Sequence, residues 1–108
     1  MKMHEAVAQW RKVCPLDQIP RLGARVVNTP QGDVALFRTA EDEVFALHDR
    51  CPHRGGPLSQ GIVFGRNVAC PLHNWSIGLA DGQAAAPDNG CTATFQVKVD
   101  GFDVYLLV

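Results

Sequence analysis

The sequence predicts an all-β protein, a sandwich or barrel base domain with a small inserted lobe. Three observations support this fold class. Apolar and polar residues alternate over short runs, no stretch has a long helical period, and Gly, Pro, Asn and Asp residues separate the runs. Many short strands at close spacing, with turn residues between them, are typical of β-sandwiches and β-barrels.

The first half of the chain predicts four strands. Residues 1–9 show no periodicity and are expected to form a terminal arm. Strands are predicted at residues 10–14, 24–28, 34–39 and 43–48, with a polar loop over 15–23 and a turn within 30–33. The last two of these strands read as a hairpin.

The second half predicts shorter hairpins. Strands are expected at residues 62–64, 68–70, 75–79, 92–99 and 102–108, and Asp81-Gly82 and Asp100-Gly101 are strong turn signals. At 108 residues the chain is expected to be a single domain, 1–108. Residues of about 46–80 would form the inserted lobe, on a base built from both chain ends.

Two cysteines and two histidines follow a regular spacing between residues 51 and 73. Cys51 and His53 form a C-x-H pair, and Cys70 and His73 form a C-x-x-H pair. Each pair can aim two side chains at one point from a tight loop, so the two loops together predict a four-ligand metal site. Thiolate is a soft ligand that suits iron and zinc, and imidazole is a weaker donor.

The order of the ligands separates two kinds of metal site. Zinc sites usually group two cysteines before two histidines, whereas each pair here contains one of each. In a Rieske 2Fe-2S centre one iron has two thiolates and the other has two imidazoles. The pattern therefore favours a Rieske-type 2Fe-2S cluster, with zinc as the alternative.

The residues around these cysteines also favour a cluster. Pro52 and Pro71 each follow a cysteine and hold its backbone in extended geometry. Gly55 and Gly56 let the first loop turn tightly, so that backbone amides can approach the sulfur atoms of a cluster.

The segments CPHRGGPL and CPLH resemble the two cluster-binding boxes of Rieske proteins, and the resemblance extends over nearly the whole chain. It implies that Cys51, His53, Cys70 and His73 bind the cluster. Within the family, the chain closely resembles the small subunit of assimilatory NAD(P)H-dependent nitrite reductase. The segments that carry this resemblance are VALFR at 34–38, GGPLSQGIV at 55–63, ACPLHNWSI at 69–77 and PDNGC at 87–91.

The resemblance implies an accessory subunit of an oxidoreductase. No dinucleotide-binding glycine motif, Walker loop or Ser-His-Asp set stands out in the sequence. One cluster stores one electron, whereas reduction of nitrite to ammonia needs six, so catalysis is expected in a partner. The family implies a large subunit that carries FAD, a 4Fe-4S cluster and sirohaem.

Two other functions stay open. A free-standing Rieske ferredoxin would deliver electrons to a ring-hydroxylating dioxygenase. The second boxes of such ferredoxins usually continue with Gly and then Phe-Asp, where this chain has Asn74, Ile77 and Gly78, and this difference favours the nitrite reductase subunit. The cluster could also serve only as a structural element or a redox sensor.

The resemblance also implies a low reduction potential. High-potential Rieske proteins have a disulfide between the boxes and hydroxyl groups near the second box. Here the disulfide positions hold Gly56 and Leu72, and the hydroxyl positions hold Trp75 and Ile77. With fewer hydrogen-bond donors the potential is expected at the low end of about −150 to +300 mV.

Composition and the N-terminus bear on partners and location. The formal net charge is −1 and the ten Lys and Arg residues are scattered, which excludes nucleic acid as a partner. Glu5 and Gln9 interrupt the region where a signal peptide needs an apolar core. No apolar window approaches the roughly 20 residues of a membrane span, so a cytoplasmic location is expected.

The remaining reactive side chains lack ligand spacing. Cys14 and Cys91 are expected to be reduced and buried, and His4 and His48 are expected to be bystanders. Trp10 is expected in the core.

An apolar docking surface is expected at the tip that carries the histidines. It would consist of Arg54, Pro57, Leu58, Asn74 and Trp75, with Arg54 at its rim.

Overall fold

The computed structural model describes residues 8–52, 55–72 and 74–108, and these residues form an all-β fold. The predicted fold class is confirmed. The strands are β1 (Trp10–Pro15), β2 (Ala24–Thr29), β3 (Gly32–Arg38), β4 (Val44–His48), β5 (Ile62–Phe64), β6 (Asn67–Ala69), β7 (Ser76–Gly78), β8 (Thr94–Phe95), β9 (Val97–Asp100) and β10 (Asp103–Leu107). Two short 3₁₀ turns cover Leu16–Gln18 and Leu58–Gln60.

The strands form three antiparallel sheets. The terminal sheet has the order β1-β10-β9 and joins the two ends of the chain. The central sheet has the order β2-β3-β4-β8, and the lobe sheet has the order β5-β6-β7. The lobe sheet lies in the chain between β4 and β8, within the segment predicted to form an inserted lobe.

Strand β3 places the central sheet between the other two. Its residues Val34, Ala35, Leu36 and Phe37 are all fully buried, and successive side chains of a strand point to opposite faces. Val34 and Leu36 pack into a core with residues of β10. Ala35 and Phe37 pack into a second core with residues of the lobe sheet. The protein is therefore built in three layers around one doubly buried strand.

The predicted strand over residues 92–99 is two strands. Thr94 pairs with Leu47 of the central sheet, whereas Val97 pairs with Leu106 of the terminal sheet. The chain crosses from one sheet to the other at Gln96, whose carbonyl accepts a hydrogen bond from Leu107 N–H at 3.0 Å. Alternation of apolar residues cannot show a change of partner sheet, which is why the sequence predicted one element.

Three ion pairs fasten the turns around the central sheet. Arg66, in the turn between β5 and β6, pairs with Glu43, and its guanidinium lies 6.0 Å from the centre of the Phe45 ring. This contact ties the lobe sheet to β4. Asp42 accepts a hydrogen bond from Arg38 Nε at 2.9 Å and pairs with Arg21 at 3.2 Å.

These ion pairs predict an acid-dependent loss of stability. The hydrogen bond from Arg38 lowers the pKa of Asp42, and the hydrogen bond from Arg66 lowers the pKa of Glu43. A lowered pKa in the folded protein stabilises it at neutral pH, and this stabilisation is lost as pH falls below about 4. We expect the double variant Asp42→Asn, Glu43→Gln to have a flatter dependence of the unfolding free energy on pH. Denaturant titrations of the variant and of the unsubstituted protein at each pH measure this dependence. Loss of a metal in acid would lower the stability of both proteins, so the difference between their curves reports the two carboxylates. Parallel curves would contradict the prediction.

Candidate metal centre

The first loop of the predicted metal site, which begins at Cys51, is closed by two backbone hydrogen bonds. The N–H of Gly55 donates to the carbonyl of Cys51 at 2.8 Å, and the N–H of Cys51 donates to the carbonyl of Gly56 at 2.7 Å. Gly55 has φ of +72°, a left-handed conformation that glycine adopts without a steric cost. The loop therefore turns back on itself within five residues of the cysteine, as its two glycines predict.

The second loop repeats the same pattern. The N–H of Asn74 donates to the carbonyl of Cys70 at 2.9 Å, and the N–H of Cys70 donates to the carbonyl of Trp75 at 2.7 Å. Asn74 has φ of +56°, so the fourth residue after the cysteine is left-handed in both loops. Asn is one of the few residues other than Gly that enters this region readily. The two loops are structural equivalents, each presenting one cysteine.

Both cysteines are buried in the same core. Cys51 is 1% exposed and Cys70 is 0% exposed, and both belong to the core between the central sheet and the lobe sheet. A Cβ atom placed on Gly56 of the first loop would lie 3.8 Å from the sulfur of Cys70. The sulfur of one loop thus lies against the backbone of the other. Two thiols held on facing loops and shielded from water fit a metal centre with soft ligands.

The two predicted histidine ligands, His53 and His73, lie outside the described residues, as does Arg54. Within residues 8–52, 55–72 and 74–108, no group of three or more His, Cys, Asp and Glu side chains is placed to hold a metal ion. The ligand set of Cys51, His53, Cys70 and His73 therefore stays a prediction.

The two loops touch at Gly56 and Leu72. A Cβ atom on Gly56 would lie only 2.7 Å from Leu72 Cδ1, so the leucine side chain occupies the space that glycine leaves. These are the positions at which the resemblance places a disulfide in high-potential Rieske proteins. Packing here takes the place of a covalent link. Leu72 is still 49% exposed, so half of its side chain remains available at the surface.

The positions of the absent hydroxyl groups are occupied by apolar packing. Ile77 is fully buried in the core that contains both cysteines. Trp75 is half-buried and packs against the same core.

A third loop, which contains Gly90 and Cys91, covers the first loop and was not predicted from the sequence. It is called the covering loop below. Gly90 has φ of +141°, and a Cβ atom there would lie 3.1 Å from Cβ of Pro52 and 3.7 Å from the Trp75 ring. A side chain at Gly90 would therefore push this loop away from both boxes. The signal for this loop in the sequence is the Gly within PDNGC at residues 87–91.

A second missed feature is a clamp at the base of the first loop. The carboxylate of Asp49 accepts hydrogen bonds from the N–H of Ser59 at 2.7 Å and from its hydroxyl at 2.9 Å. Asp49 precedes Cys51 and Ser59 follows the loop, so the clamp joins the two ends of the segment. Sequence periodicity gives no sign of such a contact between residues ten apart.

Removal of this clamp should loosen the first loop. We expect Asp49→Ala to lower the free energy of unfolding by about 1.5–3 kcal/mol, because the bonds to a charged carboxylate are lost. Cluster absorbance should also decay faster in the presence of a chelator. Ser59→Ala keeps the backbone donor and should have a smaller effect on both measurements. Equal stability of Asp49→Ala and the unsubstituted protein would contradict the role of the clamp.

Three predicted positions are corrected. Leu58 is fully buried in the core with the two cysteines, because the 3₁₀ turn at Leu58–Gln60 folds it inward, so it is not part of a docking surface. Cys91 is exposed rather than buried, since it lies in the covering loop. Trp10 is 42% exposed and does not pack in the core; the Lys98 Nζ atom lies 4.7 Å from the centre of its ring, a cation–π contact.

Other predictions are confirmed or fall outside the structure. Cys14 is buried in the core beside the terminal sheet, and burial raises the pKa of its thiol. Pro57 and Asn74 are exposed, as expected of the docking surface. His4 lies outside the described residues. Gln9, the last residue of the predicted arm, donates its N–H to the carbonyl of Val108 at 2.8 Å and so belongs to the folded part of the chain.

Fold and loops together define an all-β protein in which two equivalent loops bring two buried cysteines to one core, where soft ligands could hold a metal. The chain belongs to the Rieske [2Fe-2S] domain family, whose profile matches residues 9–96. It carries a Rieske 2Fe-2S cluster and acts in electron transfer.

The curated relatives include ferredoxins and an oxygenase. The chain is 37% identical over 99 residues to the ferredoxin subunit of 3-phenylpropionate/cinnamic acid dioxygenase of Photorhabdus laumondii, covering 89% of this chain and 91% of that one. It is 58% identical over 43 residues to a 4beta-methylsterol monooxygenase of Methylococcus capsulatus, which covers 40% of this chain and only 12% of that protein.

Solved structures with the same fold include a nitrite reductase small subunit and a dioxygenase complex. A proposed small subunit of an NADPH nitrite reductase is 30% identical, with a TM-score of 0.82, over 93% of this chain and 99% of that one. A chain from the complex of oxygenase and ferredoxin in carbazole 1,9a-dioxygenase is 28% identical, with a TM-score of 0.79, over 91% and 92%. Among the described residues, no helix is long and apolar enough to cross a membrane.

Proposed function

We propose that the chain is the Rieske small subunit of an NAD(P)H-dependent nitrite reductase and supports the reduction of nitrite to ammonia. The similarity to the NADPH nitrite reductase small subunit over almost the full length of both chains is the observation that carries this proposal. The four sequence segments of the resemblance agree with it, since they include the boxes, β3 and the covering loop.

Cys51, His53, Cys70 and His73 are the proposed ligands. When bound, a Rieske cluster stores one electron, and its imidazole ligands place its potential above that of an all-cysteine cluster. The surrounding residues hold and shield this site. Gly56 and Leu72 keep the loops together by packing, and the covering loop at Gly90 closes the side of the first loop.

The chain's own residues supply no hydroxyl donor at the positions of Trp75 and Ile77. Apolar packing stabilises added negative charge less than a hydrogen bond does. The reduction potential is therefore expected in the low part of the Rieske range. A low potential suits an electron donor that is itself reduced by NAD(P)H through a flavin, and it suits quinol oxidation poorly.

The proposed partner is a large catalytic subunit that carries FAD, a 4Fe-4S cluster and sirohaem. Six electrons are needed for each nitrite, so the substrate chemistry must take place on that subunit. In this assembly the chain is a non-catalytic accessory subunit of an oxidoreductase.

The second candidate is a ferredoxin that delivers electrons to a ring-hydroxylating dioxygenase. The 37% identity to a dioxygenase ferredoxin over most of both chains favours it. Asn74 argues less strongly against this candidate, because its φ of +56° is a left-handed conformation that Gly also adopts readily. Ile77 and Gly78, in place of Phe-Asp, remain as differences.

Purification from the native host separates the two candidates. A tagged chain expressed at its natural level should retain a large subunit with the absorption bands of sirohaem, and the complex should reduce nitrite with NADH or NADPH. Capture of an oxygenase component, or isolation of a lone carrier that reduces one, would refute the nitrite reductase proposal. Cys70→Ala in the same complex tests whether the cluster conducts electrons, because a purely structural role would leave nitrite reduction unchanged once the complex has assembled.

A further inference from the structure

A cavity of about 440 Å³ lies beside the first loop. Its walls come from the end of β4, the first loop and the segment before β8, and they include His48, Arg50, Gly55 and Thr92. Cys51 also lines it, whereas no described residue of the second loop does. The cavity is therefore next to the metal centre but is separate from the space between the two cysteines.

The backbone fixes the shape of this cavity. The N–H of His48 donates to the carbonyl of Ala93 at 2.9 Å, which joins β4 to the opposite wall. Arg50 extends along the first loop, since a Cβ atom on Gly55 would lie 3.2 Å from Arg50 Nε and 3.4 Å from its Nη2. Because Gly55 has no side chain, there is room for the guanidinium to lie beside the loop.

The charge of Arg50 is not balanced within the described part of the chain. Arg50 makes no ion pair and no side-chain hydrogen bond there, and no Asp or Glu lines the cavity. The adjacent carboxylate, Asp49, has both oxygens engaged by Ser59. Arg21, Arg38 and Arg66 each pair with a carboxylate of this chain, whereas Arg11 and Arg25 make no ion pair among the described residues but lie outside this cavity.

We propose that this cavity is an anchoring site for an Asp or Glu side chain of the electron-transfer partner, bound by the guanidinium of Arg50. A planar guanidinium with free donors binds a carboxylate through two parallel hydrogen bonds, and the pair gains strength when the partner excludes water. His48 and Thr92 line the same wall, where the Thr92 hydroxyl donates a hydrogen bond to the carbonyl of His48 at 3.4 Å. The inference rests on the proposed assembly with a redox partner, and it adds the chemistry by which that partner is recognised.

The position of the cavity beside Cys51 is the reason for proposing a side chain of the redox partner as its occupant. A carboxylate seated there lies against Cys51, so it would hold the partner's surface over the first loop and fix its distance from the metal centre. Electrostatic pairs of this kind set orientation and association rate.

The first test measures the cavity itself in the cluster-containing protein. Modification of arginines by phenylglyoxal is followed by mass spectrometry with blocked glutamate or blocked glutamine, N-acetylated and amidated, as the probe. Blocked glutamate should slow the modification of Arg50 by about threefold relative to blocked glutamine, because it occupies the guanidinium. Arg25, exposed on β2, is the internal control and should react equally with both probes. Equal protection of Arg50 by both probes would overturn the carboxylate site.

The second test measures partner binding, with the subunit or oxygenase component that the tagged chain retains. Arg50→Gln should weaken association by about tenfold, whereas Arg25→Gln should leave it unchanged. Iron content and the EPR signal of the reduced cluster should be the same in both variants. Loss of binding that is equal in the two variants, or none in Arg50→Gln, would overturn the proposal. Retention of an oxygenase instead of a nitrite reductase subunit refutes the proposed function only, because the Arg50 comparison proceeds with either partner.

Discussion

Replacement of Cys51, His53, Cys70 or His73 by Ala, one at a time, is expected to abolish binding of iron and sulfide. Cys51 and Cys70 lie in one water-excluded core on equivalent loops, so loss of either thiolate removes the covalent hold on one side of the cluster. The histidines are expected to matter equally as ligands of the second iron. Iron and acid-labile sulfide analysis and the EPR spectrum after reduction measure the result.

The other two cysteines are the matched controls. Cys14 lies in the core beside the terminal sheet and Cys91 lies in the covering loop. Cys91→Ser should leave the cluster and the stability unchanged. Cys14→Ser buries a hydroxyl and should cost about 1–3 kcal/mol of stability while leaving the iron content intact. Loss of the cluster from folded Cys14→Ser or Cys91→Ser would refute the ligand assignment, and one bound zinc without labile sulfide would refute the cluster.

A pair of leucine substitutions should separate folding from docking. Leu58→Asp places a carboxylate at a fully buried position, with a penalty of several kcal/mol against a typical total stability of about 5–15 kcal/mol. We expect this variant to lose the packing of the lobe sheet and its cluster. Near-ultraviolet circular dichroism and iron analysis measure both losses.

Leu72→Asp should have the opposite profile. Its side chain is half exposed at the junction of the two loops, so the new carboxylate can reach water. Loss of the packing against Gly56 should lower the stability, but the protein should fold and retain its iron. Association with the redox partner should weaken by more than about tenfold, because the charge would be desolvated at an apolar contact. Phe102→Asp, at an apolar position that is 54% exposed in the turn before β10, is the control and should bind normally. Normal binding by Leu72→Asp would place the docking surface elsewhere.

The sequence predicted the β class, most of the strand positions and the two loops because each depends on local pattern, whereas the division of residues 92–99 into two strands depends on which sheet each part joins. Period-two alternation marks a strand directly, and cysteine spacing with Gly and Pro marks a tight ligand loop. Leu58 was misplaced because its burial depends on how a short 3₁₀ turn folds back, which adjacent residues do not determine. The Asp49–Ser59 clamp and the contact of Gly90 with Pro52 join segments that are distant in the sequence, and no periodicity reports them.

The doubly buried strand β3 limits how far this protein can be divided. Removal of the lobe sheet would expose Ala35 and Phe37, and removal of the terminal sheet would expose Val34 and Leu36 on the other side of the same backbone. Neither the lobe sheet nor the terminal sheet can be removed without exposing one apolar face of β3 to water. Weakening of the metal centre is therefore expected to lower the stability of the terminal sheet as well, since the two cores share β3.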